Sequence, residues 1–210
     1  MPRIATSHGV RAEHVVAPLS GTAVARLSFD NGVQQVDVSS DPTLTDLVEA
    51  RFAEPYPVVW VSDNNVHIDY PLGSRLLRRP GGNAIQVNPR VAWSIDVHGG
   101  ASHLVVDLSD VDLVSVTCHA GLANSTFLLG RPTGTRTIRL STLKQVRIER
   151  PADVPVRLAL ATGATKVSLD GRFFRSVGGL TDQTSGYLDA IDRYHIVVSG
   201  GADTLTIEGA

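Results

Sequence analysis

Four apolar residues, Val106, Phe127, Ile148 and Leu169, stand 21 positions apart, and this period constrains the fold more than any single motif. Leu104, Ser125, Val146 and Val167 keep the same step, and Ile95, Val116, Ile138 and Leu158 follow with steps of 21, 22 and 20. A fixed period of this size marks stacked supersecondary units. Each unit holds two alternating runs separated by small residues, as at Gly99-Gly100-Ala101 and Thr162-Gly163-Ala164. Alternation is the periodicity of a strand, one face inward and one outward. Two short strands and two tight corners suit one coil of a β-solenoid, with equivalent strands ~4.8 Å apart along the axis. One coil cannot bury its own apolar face, so several must stack, and the Val106 series becomes an internal ladder. The expected fold is all-β, a parallel β-helix with coils of about 21 residues. The alternative is an antiparallel β-sandwich, which also places short strands between turns. A sandwich has no reason to hold one register through four units.

Residues 1–83 read as irregular coils of the same solenoid. Alternating runs lie at Ala25 to Phe29, Val33 to Ser39, Val58 to Val61 and Val66 to Tyr70, with a turn at Asp30-Asn31-Gly32. A short helix is expected from Asp41 towards Phe52, with Asp41 as its cap and Pro42 at the first position. The loop at 71–83 carries a basic cluster of its own, Arg75, Arg78 and Arg79. Residues 84–210 form the regular part. After Asp170 the period fails, because Leu169 to Ile207 spans one repeat plus 17 residues. The insertion, within 172–193, is expected to cap the open end of the solenoid and bury Phe173 and Phe174.

The N-terminus shows no continuous apolar stretch of signal-peptide type, and no run of 18 apolar residues occurs, so neither a leader nor a membrane span is read. A single cysteine, Cys118, excludes an intramolecular disulfide and suits a reducing, cytoplasmic setting. Cys118 shares an inward series with Val97, Leu140 and Leu160, which makes it a small buried hydrophobe.

Two units carry a resemblance: Trp93-Ser-Ile-Asp-Val-His-Gly-Gly-Ala-Ser-His-Leu, and Tyr194-His-Ile-Val-Val-Ser-Gly-Gly-Ala-Asp-Thr-Leu. Pro151-Ala-Asp-Val-Pro-Val-Arg, Asp170-Gly-Arg-Phe-Phe and Asp192-Arg193-Tyr194 add to it. The chain resembles uncharacterised actinobacterial proteins with Gly-Gly-Ala-Ser β-repeats. These are similar in turn to the putative-adhesin and bactofilin-like β-helix families and to the C-terminal domain of cell-wall-stress response regulators. The resemblance runs well over Ala84 to Ala210 and loosely before that. It departs in the middle units, where Ser141-Thr142-Leu143 replaces the Gly-Gly-Ala corner. It implies a right-handed parallel β-helix with a non-catalytic role in scaffolding, assembly or sensing, and it supplies no catalytic residues.

No acid, base and nucleophile converge in the sequence. His98 and His119 occupy equivalent positions and would stack on neighbouring coils, with His103 or His67 as a conceivable third ligand. Stacked polar residues at corners are commonplace, so no metal and no cofactor are assigned. Asp107, Glu149, Asp170 and Glu208 share an outward column, in which only Glu149 and Asp170 are expected to be neighbours. If the chain held a small-molecule or enzyme site, it would lie between a solenoid face and the 71–83 and 172–193 loops, with His98, His119, Tyr187 and Asp189 as first candidates. Charge is segregated more plainly. Residues 131–175 carry ten Lys/Arg against three acids, net +7, whereas 1–130 sum to −5 and 176–210 to −4. Sequence position maps onto axial position in a solenoid, so a basic band is expected, with Arg136, Arg139, Arg147, Arg157, Arg172 and Arg175 as binding candidates. Aromatic residues for base stacking are scarce there, which favours a protein partner or self-association over nucleic acid and leaves an anionic surface open. The expected function is a non-catalytic scaffold, assembly or protein-interaction module.

Overall fold

The computed structural model describes residues 2–70 and 82–210. Three short strands open the chain: β1 (Arg3–Ile4), β2 (Val10–Arg11) and β3 (His14–Ala17). Two-strand units follow, each giving one strand to each of two sheets. In chain order they are β4 (Val24–Phe29) with β5 (Val33–Ser40), β6 (Val48–Arg51) with β7 (Val58–Ser62), and β8 (Asn65–Asp69) with β9 (Asn83–Val87). Next come β10 (Ala92–Val97) with β11 (Ala101–Leu108), β12 (Leu113–Cys118) with β13 (Leu122–Leu129), and β14 (Thr135–Leu140) with β15 (Leu143–Arg150). The last are β16 (Val156–Leu160) with β17 (Ala164–Leu169), β18 (Arg172–Val177) with β19 (Leu180–Gln183), and β20 (Arg193–Val198) with β21 (Ala202–Gly209).

Among the described residues the larger sheet has 11 strands in the order β1-β3-β6-β9-β5-β11-β13-β15-β21-β17-β18. The smaller has 10, in the order β19-β16-β20-β14-β12-β10-β4-β8-β7-β2. The chain is all-β, with two large mixed sheets that do not close into a barrel. Pairing is parallel through the middle of both sheets and turns antiparallel towards their ends, at β17 with β18, β16 with β19, β6 with β9 and β7 with β8. Inward residues alternate along the strands and meet in one core, whose largest buried side chains include Trp93, Tyr194, Phe29 and Phe127.

The ladder predicted from the repeat exists, but its order is not that of the sequence. In the larger sheet it reads Ile85, Val38, Val106, Phe127, Ile148, Ile207, Leu169. The final unit, β20 with β21, is inserted between β14/β15 and β16/β17. Ile148 and Leu169 are therefore not neighbours, and Ile196 likewise separates Ile138 from Leu158. The other end shows the same exchange, where β8/β9 lies outside β4/β5 although it follows in the chain. Each end also has a reversed unit folded back through a tight turn. Asp170 and Gly171, both at positive φ (45° and 76°), turn β17 into β18, and Asp63 with Asn64 (48° and 62°) turns β7 into β8. Paired positive φ values match the twist of a two-residue hairpin.

The helix expected at 41–52 does not form. Asp41 instead accepts hydrogen bonds from the Thr43 N–H at 2.8 Å and the Thr43 hydroxyl at 2.7 Å, a local turn that competes with helix initiation. Beyond it, buried Val48, Ala50 and Phe52 alternate with Glu49 and Arg51, which is strand period. The sheets settle the matter, because β6 lies between β3 and β9.

Candidate functional site

The inserted unit is locked by a buried cation. Arg150 ends β15 at the inward position that Leu108 and Leu129 fill in the two preceding units. Its side chain is 1% exposed and is paired with the carboxylate of Asp170, past the end of β17. It also donates to the Pro151 carbonyl at 3.1 Å. Asp170 accepts from the Gly209 N–H at 3.1 Å. The ion pair thus crosses the end of β21 and ties three adjacent strands together. A side chain at Gly209 would meet the Ala152 Cα at 2.7 Å and the Arg150 Nη1 at 3.1 Å, so glycine leaves the guanidinium its path.

Half of the sequence-predicted basic band is consumed in the same manner. Arg136 points inward and donates to Asp112 at 2.9 and 3.2 Å. Arg147 pairs with Glu149 and Glu208, which the insertion has made neighbours. Arg172 donates to Asp182 at 3.0 Å and to the Gln183 carbonyl at 2.9 Å. Arg131, outside the candidate set, holds Asp153 with two bonds of 2.7 and 2.9 Å. Arg139, Arg157 and Arg175 are left without an acidic partner among the described residues. The band therefore divides into five arginines with acidic partners and five cations without one among the described residues, Arg139 and Arg157 on the smaller sheet and Lys144, Lys166 and Arg175 on the larger.

One patch lies on the outer face of the smaller sheet, where His195 sits between Thr137 and Arg157 in register. Burial first, then Arg157 and Arg139, push the His195 imidazole below its ordinary range. The other patch lies at the end of the larger sheet. Folding about Asp170-Gly171 sets Arg175 opposite Lys166 and Phe173 opposite Ser168. The hydroxyl residues Thr204 and Thr206 extend the same two columns on β21. Together Lys166, Ser168, Phe173, Arg175, Thr204 and Thr206 line a cleft of about 270 Å³. Phe173 is 77% exposed, contrary to the expectation that it would be buried, while Phe174 points inward and packs against the core. Alternation allows only one of two consecutive strand residues to face inward. Leu188 and Ile191, in the same inserted segment, are 70% and 82% exposed.

The candidates for an enzyme site do not converge. His98 and His119 stack with ring centroids 4.9 Å apart and planes 3° from parallel, beyond the C-terminal ends of β10 and β12. Stacked face to face, the two rings direct their in-plane nitrogen lone pairs along separate parallel planes and do not converge on one ion. Tyr187 and Asp189 precede the opposite end of the smaller sheet, about 20 Å away along a six-residue strand. Tyr187 is buried, with Arg193 over its ring at 4.9 Å. His103 stands apart at a positive φ of 54°, in line with Gln35, Asn124 and Gln145, whose φ values are 50° to 56°. His67 is held by Asp30 at 3.0 Å and stacks on Trp60 at 4.7 Å. Among the described residues no three His, Cys, Asp or Glu come together to hold a metal, and no helix is long and apolar enough to cross a membrane. Cys118 is buried, and burial, with a smaller effect from Asp96, pushes its thiol up to about 12. Of the loop at 71–83, residues 71–81 lie outside the described residues, and Asn83 begins β9.

Nothing in the sequence sets Lys166 apart from the other basic residues of 131–175, and Phe173 is exposed where burial is expected. Asp170-Gly171 was the available signal, since Asp-Gly between two alternating runs is a strong hairpin marker. Reflection about it pairs 166 with 175 and 168 with 173.

No family model matches the chain, and no curated relative does. Among solved structures, the chain is similar to a protein from Clostridium sporogenes ATCC 15579 described as a putative cell adhesion protein, with a TM-score of 0.67. The match covers 94% of this chain and 98% of that one at 15% identity, so the likeness is one of fold.

Proposed function

We propose that this chain is a non-catalytic β-solenoid that acts as a protein-interaction module, recognising its partner at the end of the sheets built by residues 164–193. The solenoid reading, a right-handed parallel β-helix of two-strand coils, is supported by the parallel one-to-one register between equivalent positions in both sheets. A sandwich offers no reason for that register. One observation carries the functional reading. Arg136, Arg147, Arg150 and Arg172 are neutralised within the fold, whereas Phe173, Leu188 and Ile191 stay exposed in the segment that breaks the repeat. Exposed apolar residues beside unpaired charge suit a binding surface, and a rigid repeat suits its presentation.

The test compares wild type with the triple variant Phe173→Ser, Leu188→Ser, Ile191→Ser in light scattering at high concentration and in cross-linking pull-downs. Association that wild type shows and the variant loses is the expected result. A wild-type protein that stays monomeric and retains no partner overturns the reading.

A further inference from the structure

We infer that the open edge of β18 binds an extended acidic segment of another protein by strand addition. The segment carries an acid beside Arg175, which Lys166 backs from the next strand, and an apolar residue beside Phe173. This rests on the interaction-module reading above and names the partner's chemistry.

Three features of the end strand lead to it. First, β18 is the terminal strand of the larger sheet, so one side of its backbone has no strand partner among the described residues. Terminal strands of this kind are the usual template for an added strand. Ser176, at a φ of 50°, turns the edge away and limits the usable run to Arg172–Arg175. Second, the hairpin forces two like charges into a directly opposed pair, Lys166 with Arg175. Directly opposed like charges destabilise an antiparallel pair. Neither has a hydrogen bond or an ion-pair partner among the described residues, while the neighbouring arginines 147, 150 and 172 are all paired. A carboxylate on the added strand would lie beside Arg175 on its open side, with Lys166 on the next strand inward adding to the positive field. Third, Phe173 faces outward two residues from Arg175, forming an aromatic wall to the same cleft. Side chains on an added strand alternate, so residues two apart on the partner face that outer surface together. Acid-x-apolar matches Arg175 and Phe173 in the antiparallel sense, and apolar-x-acid matches them in the parallel sense.

Charge selects this occupant over a second copy of the chain. Pairing β18 with its own equivalent about a two-fold axis would gather two Lys166 and two Arg175 side chains in one patch without an acid. An acidic partner neutralises the same patch.

The experiment uses the full chain and two fluorescein-labelled peptides, Thr-Thr-Asp-Thr-Phe-Thr-Thr and its Asn-for-Asp counterpart, read by fluorescence anisotropy. The expected result is saturable binding of the acidic peptide, weakened about tenfold by the Asn exchange and by Arg175→Glu, and weakened by salt. The double variant Lys166→Glu, Arg175→Glu should instead prefer a peptide with Lys in place of Asp. Both positions are exposed, and thermal melts confirm that the variants stay folded. Equal binding of the acidic and neutral peptides, indifference to the charge reversals, or no binding at millimolar concentration overturns the inference. Failure of the peptides while the Phe173, Leu188, Ile191 surface still governs association removes the strand-addition idea and leaves the interaction module standing.

Discussion

The Arg150–Asp170 pair offers the sharpest check on the inserted unit. Arg150 is 1% exposed and Asp170 34%, so the two ends of the bridge lose different things when cut. Asp170→Asn keeps the oxygen that accepts from Gly209 and suits the positive φ at that position, but leaves a buried guanidinium without a counter-charge. Removing one partner of a buried pair costs about 3–5 kcal/mol. The surviving hydrogen-bonding groups put this variant near the lower figure, about 3 kcal/mol. Arg150→Met leaves a carboxylate that water reaches, and the thioether side chain fills the column already occupied by Leu108 and Leu129. Its cost should be about 1 kcal/mol. The double variant should resemble Arg150→Met, because no buried charge remains. Urea unfolding followed through buried Trp93 measures all three, and thermal melting should show Asp170→Asn lowered by about 6–12 °C. Additive losses, or equal losses from the two single variants, would refute the view that an uncompensated buried cation dominates.

Truncation after Gln183 removes β20 and β21 from between two units whose strands are not paired with each other. Loss of cooperative unfolding is expected by circular dichroism, whereas an end-positioned unit would cost one interface and leave a folded core. Gly209→Ala should mimic Asp170→Asn without altering charge, costing about 1–3 kcal/mol in urea titration, since its Cβ collides with Ala152 and the Arg150 head. At the first corner, Gly99→Ala would bring a Cβ within 2.2 Å of the Gly32 backbone nitrogen, whereas Gly100→Ala meets only the Gly121 carbonyl at 3.4 Å. The first should cost about 1–3 kcal/mol and the second no more than about 0.5 kcal/mol, so equal Tm values would contradict the packing. Lowered by burial and two arginines, the His195 pKa favours the neutral imidazole in the fold. Its contribution to stability is present above the ordinary value of 6.5 and lost as pH falls below it. Arg139→Gln with Arg157→Gln should raise that pKa in an NMR titration, and no change would assign the whole shift to burial.

The repeat was readable because stacking imposes it: Val106, Phe127 and Ile148 occupy one column, and only a strand at each equivalent position keeps them there. Stacking order was not readable, for the same reason. Equivalent residues are interchangeable, so Ile207 serves beside Ile148 as well as Leu169 would, and periodicity carries no information about which comes next. The acidic column shows the consequence, since Glu208 separates Glu149 from Asp170 and the charge neighbours inferred along the chain were wrong. Asp41-Pro42 carried a helix-start signal, but the run behind it alternated, and β3 and β9 supplied the partners that made it a strand. In the candidate site, Arg136, Arg139 and Arg157 were visible as charge, but not the inward or outward direction of each. Arg136 faces inward to Asp112, a pairing that no local spacing reveals.

What orders the stack must therefore be the residues that break the repeat. Asp170-Gly171 folds β18 against β17, which occupies the outer edge of that unit and leaves its inner edge for a later strand. Arg150 replaces the leucine of Leu108 and Leu129 with a cation whose direct ion-pair partner is Asp170, reached across the end of β21. Gly209 gives β21 an end narrow enough for the guanidinium to cross, since a Cβ there would meet the Arg150 Nη1 at 3.1 Å. In-sequence stacking would place β17 directly on β15, with β21 excluded by the hairpin that covers the far side. The same hairpin that reserves the inner slot also throws Phe173 and Arg175 outward beside Lys166. One local device thus sets the order of the units and leaves the exposed, uncompensated edge at which the proposed partner would bind.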